Sequence, residues 1–140
     1  MRDGKLNRSY FKYIEHEMYC YDDIKREIEI LKKDMYDADM GVSYEGVCVT
    51  SSKNGSTTEN AVCRIMTSKQ LLHIERTQKA IDDALSVLGD IHRDVFNLKY
   101  RMKYSNQQVW DEVPCAESSF YKYRRELVEM VAVNLELKTP

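Results

Sequence analysis

Glycine and proline are scarce, five and two in 140 residues, against about ten and seven at average usage. So few breakers leave little from which to build a glycine-rich nucleotide loop, and they favour long helices. No run of about 18 apolar residues is present to span a bilayer. The first ten residues, MRDGKLNRSY, are polar and mixed in charge, without the apolar core of a signal peptide. A cytoplasmic protein without a membrane partner is therefore expected. The four cysteines, Cys20, Cys48, Cys63 and Cys115, form neither a CxxC knuckle nor a compact secreted pattern, so reduced thiols are expected.

Catalytic signatures are missing too. There is no Walker loop, G-x-S-x-G, H-E-x-x-H or dinucleotide turn, so no enzyme activity, no catalytic residue and no cofactor is expected. His16 and Cys20 lie one helical turn apart and could share a metal, but no other ligand pair stands nearby in sequence. No metal site is assigned, and His16, His73 and His92 read as surface or edge residues.

The formal net charge of −2 argues against a protein that coats nucleic acid by bulk attraction. Its distribution is more informative. Residues 1–40 carry −2, 41–88 carry 0, 89–125 carry +2 and 126–140 carry −2. The one positive segment is the one whose pattern, below, points to DNA.

Over 11–38 the apolar residues Phe11, Ile14, Met18, Tyr21, Ile24, Ile28, Leu31, Met35 and Ala38 recur in steps of three and four, which predicts one long amphipathic helix. The stretch 41–55, GVSYEGVCVTSSKNG, holds three of the five glycines and breaks the pattern, reading as a loop with at most a short strand at 46–50. Ser56 and Glu59 have capping-box spacing, and no breaker follows until Gly89. A second long helix is expected over 57–88, with Val62, Ile65, Leu72, Ile74, Ile81, Ala84, Leu85 and Leu88 facing the first in an antiparallel hairpin.

Asp90 can cap a shorter helix carrying Ile91, Val95, Leu98 and Met102 and ending near Lys103. Ser105 and Gln108 then form an S-x-x-Q capping box, with Tyr104 and Val109 at the positions of a hydrophobic staple. This predicts a helix over 105–113, stopped by Pro114. A last helix is expected over 117–135. Trp110 reads as packed between the helices, and the tyrosines as half-buried helix-face residues.

A helix of about nine residues, a short turn and a second helix with a polar N-terminal end make a helix-turn-helix arrangement, whose second helix reads the major groove. With the core direction of 117–135 set at Phe120, Leu127 and Val131 fall within about 20° of it. Ser118, Lys122 and Arg125 fall within about 40° of the opposite side. Ser119 and Tyr121 flank that stripe. Arg and Lys suit guanine edges or phosphates, and Ser suits base edges or backbone.

The segment DIHRDVFNLKYRMKYSNQQVWDEVPCAESSFYKYRREL resembles region 4 of the bacterial sigma factors. There an R-x-V-F-x-L-x-Y helix precedes a capped helix, a turn and an S-x-x-F/V-x-x-x-R-R recognition helix. Two positions depart from that pattern: Pro114 replaces the usual turn glycine, and Ala116 stands where a Ser or Thr cap is customary. The wider layout, with a T-x-x-A-V helix start at Thr58 to Val62, resembles the RinA-like and ArpU-like phage regulators.

That resemblance implies a transcriptional activator of phage or prophage late genes, acting in the cytoplasm of a bacterial host on packaging, structural and lysis genes. Its implied partners are double-stranded promoter DNA, host RNA polymerase and a second copy of the chain. By the same analogy Ser118, Ser119, Tyr121, Lys122 and Arg125 contact DNA; Gln107 on the helix before and Arg101 before that are expected as further contacts. The chain thus reads as all-α, a helical hairpin over 1–88 for interaction or oligomerisation and a helix-turn-helix unit over 89–140. Two rivals remain: a DNA-recognition subunit of a phage packaging machine, akin to a small terminase, and a helical adaptor that binds protein only.

Overall fold

The first helix starts where its sequence supplies a cap: the Asn7 side chain accepts a hydrogen bond from the Ser9 N–H at 2.9 Å. The computed structural model describes residues 5–39, 57–113 and 115–138. The protein is all-α, as its composition and periodicity indicate, with no strand among the described residues. Its elements are α1 (Arg8–Tyr19), α2 (Tyr21–Asp39), α3 (Thr57–Val87), α4 (Asp90–Phe96), a π-helical turn (Asn97–Arg101), α5 (Asn106–Glu112) and α6 (Glu117–Asn134). No helix among the described residues is long and apolar enough to cross a membrane. The expected loop and strand at 41–55, the Ser56 cap, Cys48 and the Pro114 stop lie outside the described residues.

The single helix expected over 11–38 is two helices. Cys20 leaves the helical conformation, with φ −89° and ψ 6°, and its N–H is shared between the His16 and Glu17 carbonyls. Asp22 and Asp23 occupy the first turn of α2, where carboxylates favour a new N-terminus.

Packing divides the chain into two units, Met1–Asp23 with Arg76–Pro140, and Ile24–Glu75, and not at the 88/89 boundary expected from sequence. In the first unit α1, the end of α3, α4, α5 and α6 share one core, built around Ile14, Met18, Ile81, Phe96, Tyr100 and Phe120. Its aromatic rings meet mostly edge to face, Tyr21 on Phe96 at 5.3 Å and Tyr19 on Tyr100 at 4.8 Å between centroids.

In the second unit Ile24 and Ile28 are buried. Gln70 donates to Glu27 at 2.7 Å, and Lys32 pairs with Glu75 at 3.1 Å. The apolar stripe expected along α3 is only partly covered: Val62, Ile65 and Leu72 are exposed, whereas Ile81 and Ala84 are buried. Cys63 is engaged in a disulfide, while Cys20 and Cys115 are free thiols, which corrects the expectation of reduced cysteines throughout.

The helix expected from Asp90 to about Lys103 changes character after Phe96. Gly89, not Asp90, holds its N-cap position, and Asp90 instead accepts a hydrogen bond from Arg93 at 2.9 Å. The π-helical turn adds a residue to the backbone ring, with the Met102 N–H bonded to the Asn97 carbonyl at 2.8 Å. That insertion rotates everything after it. Met102, expected on the apolar face, is exposed, and the buried positions pass to Lys99 and Tyr100. Lys103 then takes a left-handed conformation at φ 59°, which turns the chain toward α5.

Candidate DNA-binding site

Both hydrogen bonds of the capping box that starts α5 are formed. The Ser105 N–H donates to Gln108 Oε1 at 2.9 Å, and the Gln108 N–H to Ser105 Oγ at 3.3 Å. The staple residues do as the sequence indicates, with Val109 fully buried and Tyr104 packed on the same core. Val113 ends α5 in an extended conformation, and Ala116 precedes α6 without a side-chain cap. The first backbone N–H groups of α6 are thus left without a side-chain acceptor.

α6 presents the faces that its periodicity predicts. Phe120, Leu127 and Val131 are buried against the core, joined by Val128 and Ala132. Trp110 of α5 meets Phe120 edge to face at 5.7 Å, so the two helices interlock through aromatic rings. On the other side Ser118, Tyr121, Lys122 and Arg125 are exposed, and Ser119 is half-buried. A shallow open depression at the start of α6 is lined by Ala116, Glu117, Ser118 and Tyr121.

The stripe is not uniform. Tyr121 lies against Phe120 and Trp110, at 5.3 and 6.3 Å between ring centroids, so only its outer edge is free. Lys122 stands 3.9 Å from Glu126, one turn on in α6. Arg125 has no ion-pair partner among the described residues. Gln107 is exposed on α5. Arg101 is committed elsewhere: Nη2 and Nε both lie 3.1 Å from the Asp22 carboxylate, and its guanidinium covers the Tyr21 ring at 5.7 Å. The structure therefore gathers Ser118, Ser119, Tyr121, Lys122 and Arg125 on one helix and leaves Arg101 tied to the start of α2.

On the inward side of α6 lies a partly buried polar cluster that the sequence reading missed. Arg124 donates two hydrogen bonds to Glu15, from Nη2 at 2.6 Å and Nε at 2.9 Å, and Tyr100 Oη donates to the same carboxylate at 2.7 Å. Burial pushes the Glu15 carboxyl up, but hydrogen bonds from Arg124 and Tyr100 and the charges of Arg124 and Lys99 outweigh it and hold it below the ordinary carboxylate value. The Tyr100 hydroxyl is raised well above the usual phenol value, by burial first and by the neighbouring Glu15 second. Lys99, also buried, donates to Asn106 Oδ1 at 2.7 Å and so ties the π-helical turn to α5. One signal pointed here: Arg124 falls about 40° from the Phe120 direction, on the inward side of α6, where a cation needs a partner.

His92, expected at the surface or an edge, is half-buried. Its Nε2 lies 2.8 Å from Glu126 Oε2 and its ring meets Tyr123 edge to face at 5.1 Å, so α4 borders α6 along the Glu126 edge. His16 and His73 are exposed. His16 Nε2 lies 3.7 Å from Cys20 Sγ.

A family model matches residues 11–133, most of the chain. The chain belongs to the family described as Protein of unknown function (DUF722). No curated protein and no solved structure matches it. The family match takes in α2 to α5 whole, α1 from Phe11 and α6 as far as Val133, so the whole polar stripe and the Glu15–Arg124 pair lie within the family region.

Proposed function

We propose that this protein is a sequence-specific, double-stranded DNA-binding transcriptional activator of phage or prophage late genes, with α5 and α6 acting as a helix-turn-helix. The observation that carries this reading is the division of α6. One face, Phe120, Leu127 and Val131, is locked into the core, and the other offers Ser118, Tyr121, Lys122 and Arg125, the last without an ion-pair partner among the described residues. A helix held rigidly on one side and polar on the other suits insertion into a major groove about 12 Å wide. Arg125 is the residue best placed to read guanine, because no carboxylate among the described residues competes for it. Lys122 serves as a phosphate contact, since it must leave Glu126 to engage DNA. The uncapped N-terminal turn of α6 adds backbone donors of the kind that bind phosphate.

The activator role, the phage setting and contact with host RNA polymerase rest on the resemblance to RinA-like and ArpU-like regulators. The test is recovery of bound DNA from the protein's own host genome. Enrichment of one promoter upstream of a packaging or structural operon is the expected result. A ring-sized species by light scattering would favour the packaging-subunit rival, and failure to shift any duplex at low salt would favour the protein-binding adaptor.

A further inference from the structure

The segment that opens α1 carries charge of one sign only. From Lys5 to Ile14 it holds three cations, Lys5, Arg8 and Lys12, and no acidic residue. All three are exposed, and none has an ion-pair or hydrogen-bond partner among the described residues. No carboxylate lies in the first turn of α1, so the cations sit on the positive end of the helix dipole, and the two fields add. Charge summed over residues 1–40 hides this patch, because the acids that cancel it lie mostly beyond Glu15.

Its placement follows from contacts within the first unit. Arg8, Lys12 and Glu15 are spaced i, i+4 and i+7, within about 60° of one another on α1, and Glu15 grips Arg124 of α6. Phe11 lies under the Arg124 guanidinium at 5.1 Å. At the other end, Tyr21, just after α1, bonds Asp82, and Asn134 at the end of α6 donates to the Ala80 carbonyl at 2.9 Å. The C-terminal ends of α1 and α6 thus meet the same turn of α3. Both N-terminal ends therefore extend to the same side of the core from the Glu15–Arg124 contact. On α6, Arg124 borders α1, and Tyr121 and Arg125 come next around the helix, ahead of Ser118 and Lys122.

We propose that Lys5, Arg8 and Lys12 form a second nucleic-acid contact, a clamp on the phosphate backbone beside the groove that α6 enters. This rests on the DNA-binding reading above. Long, flexible, exposed cations at the start of α1 suit phosphates, which fix register and orientation without reading sequence. The clamp supplies general affinity, and α6 supplies discrimination.

The test compares the full chain with its Lys5→Ala/Arg8→Ala/Lys12→Ala variant, titrating promoter and scrambled duplexes by fluorescence anisotropy between 50 and 200 mM salt. Each lost phosphate contact should lower the slope of log affinity against log salt by about 0.9, so the variant's slope should be shallower by about 2.7. Over that fourfold change in salt the parent should lose about forty-fold more affinity than the variant. Both duplexes should weaken alike at low salt, and circular dichroism should show unchanged helicity. Arg8→Lys, which keeps the charge, should keep the parent's slope. If the parent binds duplex DNA and the triple variant binds with the same slope and affinity, the clamp is overturned while the α6 reading stands. If the parent binds no duplex at any salt, both fall together.

Discussion

Glu15 and Arg124, 109 positions apart, are joined by a two-pronged ion pair of 2.6 and 2.9 Å that fastens α1 to α6. The neighbouring Arg125, about 100° further around the helix, is exposed and has no ion-pair partner among the described residues. Consecutive arginines therefore do different work, one holding the helix and the other facing outward from it.

Arg124→Ala leaves the Glu15 carboxylate and the Tyr100 hydroxyl in a largely buried setting without their cation. Loss of one partner from such a pair should destabilise the protein by about 3 kcal/mol. Replacing the cluster as a whole, with Glu15→Met, Arg124→Leu and Tyr100→Phe together, should recover most of that loss, because no buried polar group is then left unpaired. Urea denaturation midpoints with matched slopes check both, and a triple variant no more stable than Arg124→Ala would show that the cluster is not the source of the loss.

The same carboxylate sets a pH dependence. Its folded pKa is lowered overall, so the stability it contributes is fully present above the unfolded value of about 4.3 and is lost as pH falls through the lower folded value. Thermal midpoints measured from pH 6 to pH 3 should therefore fall more steeply for the parent than for Glu15→Gln. Parallel curves would mean that Glu15 titrates alike in both states.

Phe120 is fully buried between α5 and the core. Phe120→Ala should cost about 3 to 5 kcal/mol, enough to unfold a small unit. A variant that keeps its thermal midpoint and helicity would contradict the assignment of faces on α6.

DNA readout should separate the cations of the site. Arg125→Ala should narrow the gap between promoter and scrambled duplex by about 1 to 3 kcal/mol, whereas Lys122→Ala should weaken both and reduce the salt slope by about one. Arg101→Ala should change affinity least, since that guanidinium is already held by Asp22. Titration at two or more salt concentrations distinguishes these outcomes. Parent-like promoter binding by both the Lys122 and the Arg125 variants would remove α6 as the reading element.

Glu136 occupies the left-handed position after α6 at φ 61°, where Leu137 N–H bonds the Ala132 carbonyl at 2.9 Å and its own N–H bonds Val133 at 3.0 Å. Glycine takes that conformation without the steric penalty of about 1 kcal/mol that a side chain incurs. A carboxylate is also unfavourable at a helix C-terminus. Glu136→Gly should raise the thermal midpoint, and losing the exposed 3.4 Å contact to Arg76 should offset little of the gain. A lowered midpoint would show that this contact outweighs the backbone strain.

What the sequence by itself determined is what neighbouring residues decide among themselves. The capping box at Ser105 and Gln108, the absence of breakers through α3 and the inward face Phe120, Leu127 and Val131 all depend on partners within a few positions or on helical period. Tertiary structure decided the rest. The break at Cys20 carries no glycine or proline, and the π-helical turn arises where Lys99 finds Asn106 and Tyr100 finds Glu15. The exposed Val62, Ile65 and Leu72 have the same period as residues that are buried, so periodicity could not say which of them the core would reach. Arg124 and Arg125 look alike in the chain; only the arrival of Glu15 from 109 residues away, in a partly buried setting that favours pairing, makes one structural and leaves the other without an ion-pair partner among the described residues.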